Sequence, residues 1–207
     1  ATARNRSKNE SGRSVAVALT IDSQFEGISR MKKHRLVSAS VVLALVLGAA
    51  SSAHADEFAV DPAHSSVVFK ISHLGLAWVN GRFDDISGSF ALDSDRSRTS
   101  FSLVAKAESI DTNNTKRDEH LKSPDFFGAK QFPVITFQST GASPIEGGYR
   151  VTGELTIKGA AKLVTFDLMG GRTAEFPPGV HRTGFTAELP IKRSDFGVGA
   201  ANPALGD

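Results

Sequence analysis

The stretch Thr99–Ala107 reads TSFSLVAKA. Phe101, Leu103, Ala105 and Ala107 fall at every second position, with Ser102, Val104 and Lys106 between them. Successive side chains of a pleated strand point to opposite faces, so this period of two describes a strand with one buried and one wet side. The same period recurs downstream. In GELTIKG (Gly153–Gly159), Leu155 and Ile157 alternate with Glu154, Thr156 and Lys158. In LVTFDLM (Leu163–Met169), Val164, Phe166 and Leu168 alternate with Thr165 and Asp167. In GFTAELPIKR (Gly184–Arg193), Phe185, Ala187, Leu189 and Ile191 share one face. The pairs Gly147-Gly148 and Gly170-Gly171 break the pattern at hairpin spacing.

Extended outward, this reading predicts strands at 57–61, 65–73, 78–92, 99–110, 133–141, 144–152, 153–159, 161–169 and 181–193. One helix is predicted, Thr115–Leu121, led by the turn residues Asn113 and Asn114 and closed by Ser123-Pro124. A second short turn follows in DFFGAK (Asp125–Lys130). Many short strands with almost no helix make an all-β sandwich or a closed barrel, and periodicity alone does not choose between them. The long strand 78–92 carries Gly81 and Gly88 inside it, which favours strands that coil and bend around a barrel.

Before this body lies a segment of different character. Met31-Lys32-Lys33-His34-Arg35 is followed by the uncharged run LVSASVVLALVLGAA (Leu36–Ala50) and then by Ala53-His54-Ala55. A positive start, a short apolar run and a small-residue site are the features of a secretory signal peptide. The run is shorter than the ~20 apolar residues a membrane-spanning helix needs. The expected organisation is therefore a non-native upstream extension at 1–30, a signal peptide at 31–55 and a mature domain at 56–207 beginning at Asp56. No stable membrane span remains after cleavage.

The formal net charge of +2 hides a split. Residues 1–55 hold eight of the Lys and Arg and three of the Asp and Glu, which leaves the body at −3. A mildly acidic body argues against nucleic acid, whose phosphates need clustered cations. With no cysteine there is neither a disulfide framework nor a thiolate metal site. The body must be held by its own core, and it is long enough to bury one.

Thirteen of the fourteen Phe lie in the body, beside the single Trp78 and the single Tyr149. Phe has no polar tip, so an interior rich in it offers apolar surface and nothing else. A filled core and an apolar cavity are both open readings at this point.

Candidate chemistry is sparse. The body histidines are His64, His73, His120 and His181. None pairs at metal-ligand spacing, so no metal site is expected. Arg117 and Asp118 are adjacent and cannot share a helix face. No nucleophile accompanies them, and the bland reading is a helix that lids a barrel mouth, with Asp118 capping or pairing locally. No nucleotide fingerprint is present. No catalytic residue is assigned and no cofactor is expected.

Several long motifs resemble those of the YceI-like, polyisoprenoid-binding family of lipocalin-like barrels. VDPAHSSVVFKISHLG (Val60–Gly75) is similar to its first strand, and VNGRFDDISGSF (Val79–Phe90) to its second. SIDTNNTKRDEHLKSPDFFGAKQFPVITFQS (Ser109–Ser139) resembles its most specific stretch. GELTIKGAAKLVTF (Gly153–Phe166) and KRSDFGVG (Lys192–Gly199) also match. Ala160, Ala161 and Leu163 depart from the Thr and Pro usual there, which alters a hairpin only. The sequence stops after PALGD, where family members continue into a last strand beside the first.

The resemblance implies an extended antiparallel lipocalin-like barrel with one short lid helix, lacking its last strand. The strand that starts near Glu57–Asp61 is then expected to border a gap, with a dimer as one outcome. It implies a periplasmic or secreted binding protein that holds a polyisoprenoid or isoprenoid-quinone-like lipid in a lengthwise apolar tunnel, for transport or storage. The alternatives are a lipid-acting isomerase or hydrolase on the same barrel, using His73 or His120, and a stress-response barrel with a filled core. Strand parity selects Val67, Phe69, Ile71, Phe101, Leu103, Phe137, Ile157, Phe166, Phe185 and Leu189 as the tunnel lining. Leu155 shares the parity of Ile157. His73 has the parity of Phe69 and Ile71 and is the candidate head-group contact.

Overall fold

The computed structural model describes residues 15–24, of which the backbone alone is considered, and residues 55–207 except 94, 96 and 97. The segment expected to be a signal peptide therefore lies outside the described residues but for its last position. Among the described residues no helix is long and apolar enough to cross a membrane.

The strands are β1 (Val15–Gln24), β2 (Asp56–Val60), β3 (Ser66–His73), β4 (Ala77–Phe83), β5 (Ile86–Leu92), β6 (Ser100–Lys106), β7 (Ile110–Asp111), β8 (Val134–Ile145), β9 (Gly148–Ile157), β10 (Ala160–Glu175) and β11 (His181–Ile191). All pair antiparallel in one sheet. Three pairs of short strands are halves of one longer strand. β2 and β3 are interrupted at Asp61–Ser65, β4 and β5 at Asp84-Asp85, and β6 and β7 by a short 3-10 turn at Ala107–Ser109. Counted this way the wall has eight staves. The sheet closes on itself because β1 pairs with β11 on one side and with β3 and β2 on the other. Among the described residues the fold is thus an all-β antiparallel barrel with one α-helix.

The closure corrects one expectation. No gap borders the first strand of the domain, because Val15–Gln24 occupies that position. Val15 pairs with Ile191, Asp22 with Gly184, Ala16 with Lys70 and Gln24 with Ala59. Part of the stretch read as an upstream extension is here a wall strand. Chain position gave no hint of this, since pairing depends on what edge is exposed and not on where a strand lies in the chain.

Two further boundaries differ from the sequence reading. The three strands predicted across 133–159 are two, β8 and β9, joined by a turn at Glu146-Gly147. Gly153 does not end a strand. It leaves room for a ring, since a Cβ there would stand 2.6 Å from Phe137 Cζ. Gly170-Gly171 is not a hairpin either. β10 runs through it, with the register against β11 shifting between Gly170 and Arg172, a β-bulge that bends the longest strand around the barrel.

One end of the barrel is filled. Phe90 stacks on Phe58 with centroids 5.1 Å apart, and Phe185 meets Phe90 edge-on at 5.4 Å, Phe101 at 5.5 Å and Tyr149 at 6.2 Å. Leu168 and Val151 are fully buried beside them. Edge-to-face contacts of this kind add about 0.5–1.5 kcal/mol each beyond area burial, so the cluster is a rigid plug.

Candidate functional site

Above the plug the barrel is hollow. A cavity of about 410 Å³ opens toward the ends of β3, β9 and β11. That volume falls within the ~300–1,000 Å³ usual for small-molecule sites. Its wall is built by inward alternate residues: Val67, Phe69 and Ile71 from β3, Leu103 and Ala105 from β6, Ile135 and Phe137 from β8, Leu155 and Ile157 from β9, Phe166 from β10, and Ala187, Leu189 and Ile191 from β11. Phe137 and Phe166, with centroids 5.3 Å apart, form part of its wall and also line a small void of about 10 Å³ beside Phe90 and Phe101.

Of the residues selected from parity, Val67, Phe69, Ile71, Leu103, Phe137, Ile157, Phe166 and Leu189 line this cavity, as does His73 at its rim. Phe101 and Phe185 do not. Both point inward as expected, but they sit in the plug, 4% and 2% exposed. Parity settles which face a side chain takes; it carries nothing about height along the barrel axis. The lengthwise tunnel is accordingly corrected to a blind cavity that occupies one end.

The mouth has two sides. On one stands helix α1 (Thr115–Lys122). Asn114 caps it, its side-chain oxygen accepting from the Arg117 N–H at 2.9 Å, and Asn113 supports the turn with a left-handed φ of 59°. Asp118 pairs locally, accepting from both the backbone N–H (2.9 Å) and the hydroxyl of Thr112. Arg117 donates from Nε to Thr112 Oγ1 at 2.7 Å and from Nη2 to Thr112 O at 2.6 Å. Its guanidinium is thereby fixed against Thr112, and the side chain lines both the cavity and a more open pocket with Asp111, Asn113 and Glu188. His120 also faces the cavity and meets the Phe126 ring edge-on at 4.9 Å.

On the other side lies a strap that the periodic reading did not reach. After β11 the chain makes a 3-10 turn (Arg193–Phe196) and passes Gly197 with φ 66°. Residues 198–207 then return across the mouth. Leu74 N–H donates to Ala204 O at 2.6 Å, Gly206 N–H to Ser72 O at 2.8 Å, and Leu205 bridges to His73. Arg193, 8% exposed, holds the strap by donating to the carbonyls of Val198, Gly199, Asn202, Leu205 and Gly206. Val198, Asn202 and Leu205 complete the cavity lining. An aperiodic strap has no hydrophobic period to find; the one signal was an arginine followed by glycines whose carbonyls lie open to it.

Every charged side chain that lines the cavity is an arginine, and no Asp or Glu does. Among the described residues no group of three or more His, Asp or Glu could hold a metal.

The comparisons with known proteins agree with this architecture. The YceI-like domain model matches residues 58–207. UPF0312 protein YE1254 of Yersinia enterocolitica is 37% identical over 164 residues, covering 76% of this chain and 85% of that protein. UPF0312 protein ECA1782 of Pectobacterium atrosepticum is 36% identical over 171 residues, covering 81% and 88%. Among solved structures, Burkholderia cenocepacia BcnA superposes with a TM-score of 0.63 at 29% identity, covering 71% of this chain and 92% of that one. The Campylobacter jejuni YceI protein gives 0.57 at 34% identity, covering 65% and 80%. With a domain match across most of its length and relatives above 30% identity, this chain belongs to the YceI-like family.

Proposed function

We infer that this protein is a lipid-binding barrel that holds the tail of a polyisoprenoid or isoprenoid-quinone-like lipid in the blind cavity, for transport or storage in the periplasm. The observation that carries the reading is the cavity itself: about 410 Å³ walled mainly by Val, Ile, Leu and Phe, with no Asp or Glu in its lining. Each CH₂ moved from water into such a wall is worth about 0.8 kcal/mol, so the tail is the source of affinity. Export follows from the segment Met31–Ala55, with Asp56 as the first residue of the processed protein. N-terminal sequencing of the exported form tests that point, and recovery of residues 31–55 in it would refute it.

Native mass spectrometry of the purified protein is the test of the ligand. A co-purifying polyprenyl mass, lost on delipidation and regained on incubation with an isoprenoid, is the expected result. A cavity that takes up no isoprenoid would refute the reading. The alternative, an isomerase or hydrolase acting on the lipid, has His120 at the mouth in its favour. His120→Ala decides between the two. Retention unchanged with function intact supports the carrier; loss of function with lipid still bound supports the enzyme.

A further inference from the structure

We propose that the hairpin tip between β3 and β4 docks on a lipid bilayer and sets the mouth of the cavity against it. The inference rests on the isoprenoid-binding reading only for what passes through the mouth; the docking itself is read from the tip.

The tip is His73-Leu74-Gly75-Leu76, closed by Leu76 N–H donating to His73 O at 3.0 Å. Both central residues have left-handed backbone, φ 55° at Leu74 and 69° at Gly75. A turn of that kind asks for Asn, Asp or Gly, and a leucine in it is strained. Here the strained position holds a leucine that is 60% exposed, followed by Leu76 at 86% and Trp78 at 56%. Strain of this sort is kept where a side chain serves something outside the fold. Single exposed apolar residues are ordinary; three within five positions at one tip are not.

Charge points to the kind of surface. From Ser66 to Phe83 the hairpin carries Lys70 and Arg82 and no Asp or Glu, within a body whose net charge is −3. Lys70 Nζ stands 5.3 Å from the centre of the Trp78 ring. An exposed tryptophan under a lysine, next to two leucines, fits the boundary between head groups and acyl chains. The leucines enter the apolar layer, the indole sits at the boundary and the ammonium meets anionic head groups. A protein partner fits less well. A stable protein interface buries about 800 Å² on each side from roughly 20–30 residues, and a tip of three apolar side chains offers a fraction of that.

The position of the tip gives docking its consequence. Ile71 and His73, the inward residues just before it, line the cavity. The tip is also tied to the strap across the mouth: Leu74 N–H donates to Ala204 O at 2.6 Å, and His73 bridges to Leu205, another lining residue. A bilayer that takes up Leu74 and Leu76 therefore meets the mouth. An isoprenoid tail then passes between membrane and cavity without exposing its length to water.

Trp78 is the single tryptophan of the chain and reports its own surroundings. The delipidated full-length protein is titrated with vesicles of phosphatidylethanolamine and phosphatidylglycerol while tryptophan emission is followed. All forms carry Leu43→Lys and Leu47→Lys, so that the apolar run Leu36–Ala50 does not itself insert. The expected result is a blue shift, with quenching by lipids brominated in the upper acyl chain. Leu74→Asn with Leu76→Ser suits the left-handed turn and leaves the cavity lining intact; it should weaken vesicle partition at least about tenfold, or 1.4 kcal/mol. Phe176→Ser removes a comparably exposed ring from the loop beyond the plug and should leave partition unchanged. An emission that does not move with vesicles would overturn the proposal, as would an equal loss in Phe176→Ser. So would a blue shift that grows with protein concentration in the absence of vesicles, which marks a second copy on the tip. Should the double variant not fold, quenching of Trp78 by brominated lipid in the wild type decides alone. Isoprenoid uptake separates docking from ligand. The tip variant should load from detergent micelles as wild type does, and from vesicles at least about tenfold more slowly, in step with the lost partition. Equal loading from vesicles would overturn docking as the route. Vesicle binding with no isoprenoid uptake from either source would overturn the isoprenoid reading and leave docking in place.

Discussion

The division of the barrel into a packed plug and a hollow cavity makes a quantitative statement about two inward residues of the same strand. Phe185 and Leu189 both lie on the inner face of β11, one turn of alternation apart from Ala187. Phe185 is 2% exposed and touches three aromatic rings within 6.2 Å. Phe185→Ala removes those contacts and leaves a void that the rigid neighbours cannot fill, which costs about 4 kcal/mol. Leu189 lines the cavity and is only partly buried where it packs against the core. Leu189→Ala therefore forfeits fewer contacts and creates no new enclosed void, at a cost on the order of 1 kcal/mol. For a protein of this size, 1 kcal/mol shifts the melting temperature by roughly 2–4 °C. The expected falls are about 8–16 °C for Phe185→Ala and about 2–4 °C for Leu189→Ala. Thermal and urea unfolding of the delipidated protein measure both. Costs within about 1 kcal/mol of each other would mean that Leu189 is packed as tightly as Phe185, and the blind-cavity description would be wrong.

Three further outcomes follow from the same geometry. Phe101→Asp buries a carboxylate among Phe90, Tyr149 and Phe185 and should prevent folding, whereas Leu155→Asp, at the cavity wall, should fold and lose isoprenoid; circular dichroism with lipid retention separates the two effects. Arg150 holds the Asp167 carboxyl below its ordinary range through bonds of 2.8 and 3.0 Å, so that exposed pair contributes stability above the ordinary carboxylate pKa and loses it as pH falls through the lowered value. Acid titration should then show wild type converging with Asp167→Asn at the lowest pH, and a gap that widens on acidification would reverse the sign. A chain of residues 56–207 should melt lower and associate more readily than the full sequence, since removing β1 bares the edges of β11 and β3; equal melting temperatures with both monomeric would show that β1 adds nothing to the wall.

The legible part of this molecule was the part with a period. Phe69, Leu103, Ile157 and Leu189 were found at the cavity because alternation is a local property that survives folding. Phe101 and Phe185 obeyed the same alternation, yet they lie in the plug, because the axial position of a residue depends on register between strands distant in sequence. Gly153 and Gly170-Gly171 were misread for a related reason: a glycine can end a strand, admit a ring or start a bulge, and only its neighbours across the sheet decide which. Arg193 left no periodic trace at all, since its partners are backbone carbonyls of an irregular strap. The role of Asp118 was readable as local pairing; its partner, Thr112, was not.

The order of the staves also bears on how the barrel comes together. Val15 finds Ile191 almost the whole chain away, while β8, β9 and β10 meet through tight hairpins. Contacts between neighbours in sequence cost little chain entropy and can form early; those between distant segments cannot repay their loop until the partners are already in place. β1 is thus a keystone, set into a wall whose other members stand without it. A wall of that kind opens at one seam before it fails elsewhere. Release of β1, which processing after Ala55 would bring about, changes its topology at a stroke, from a ring with no edges to a sheet with two.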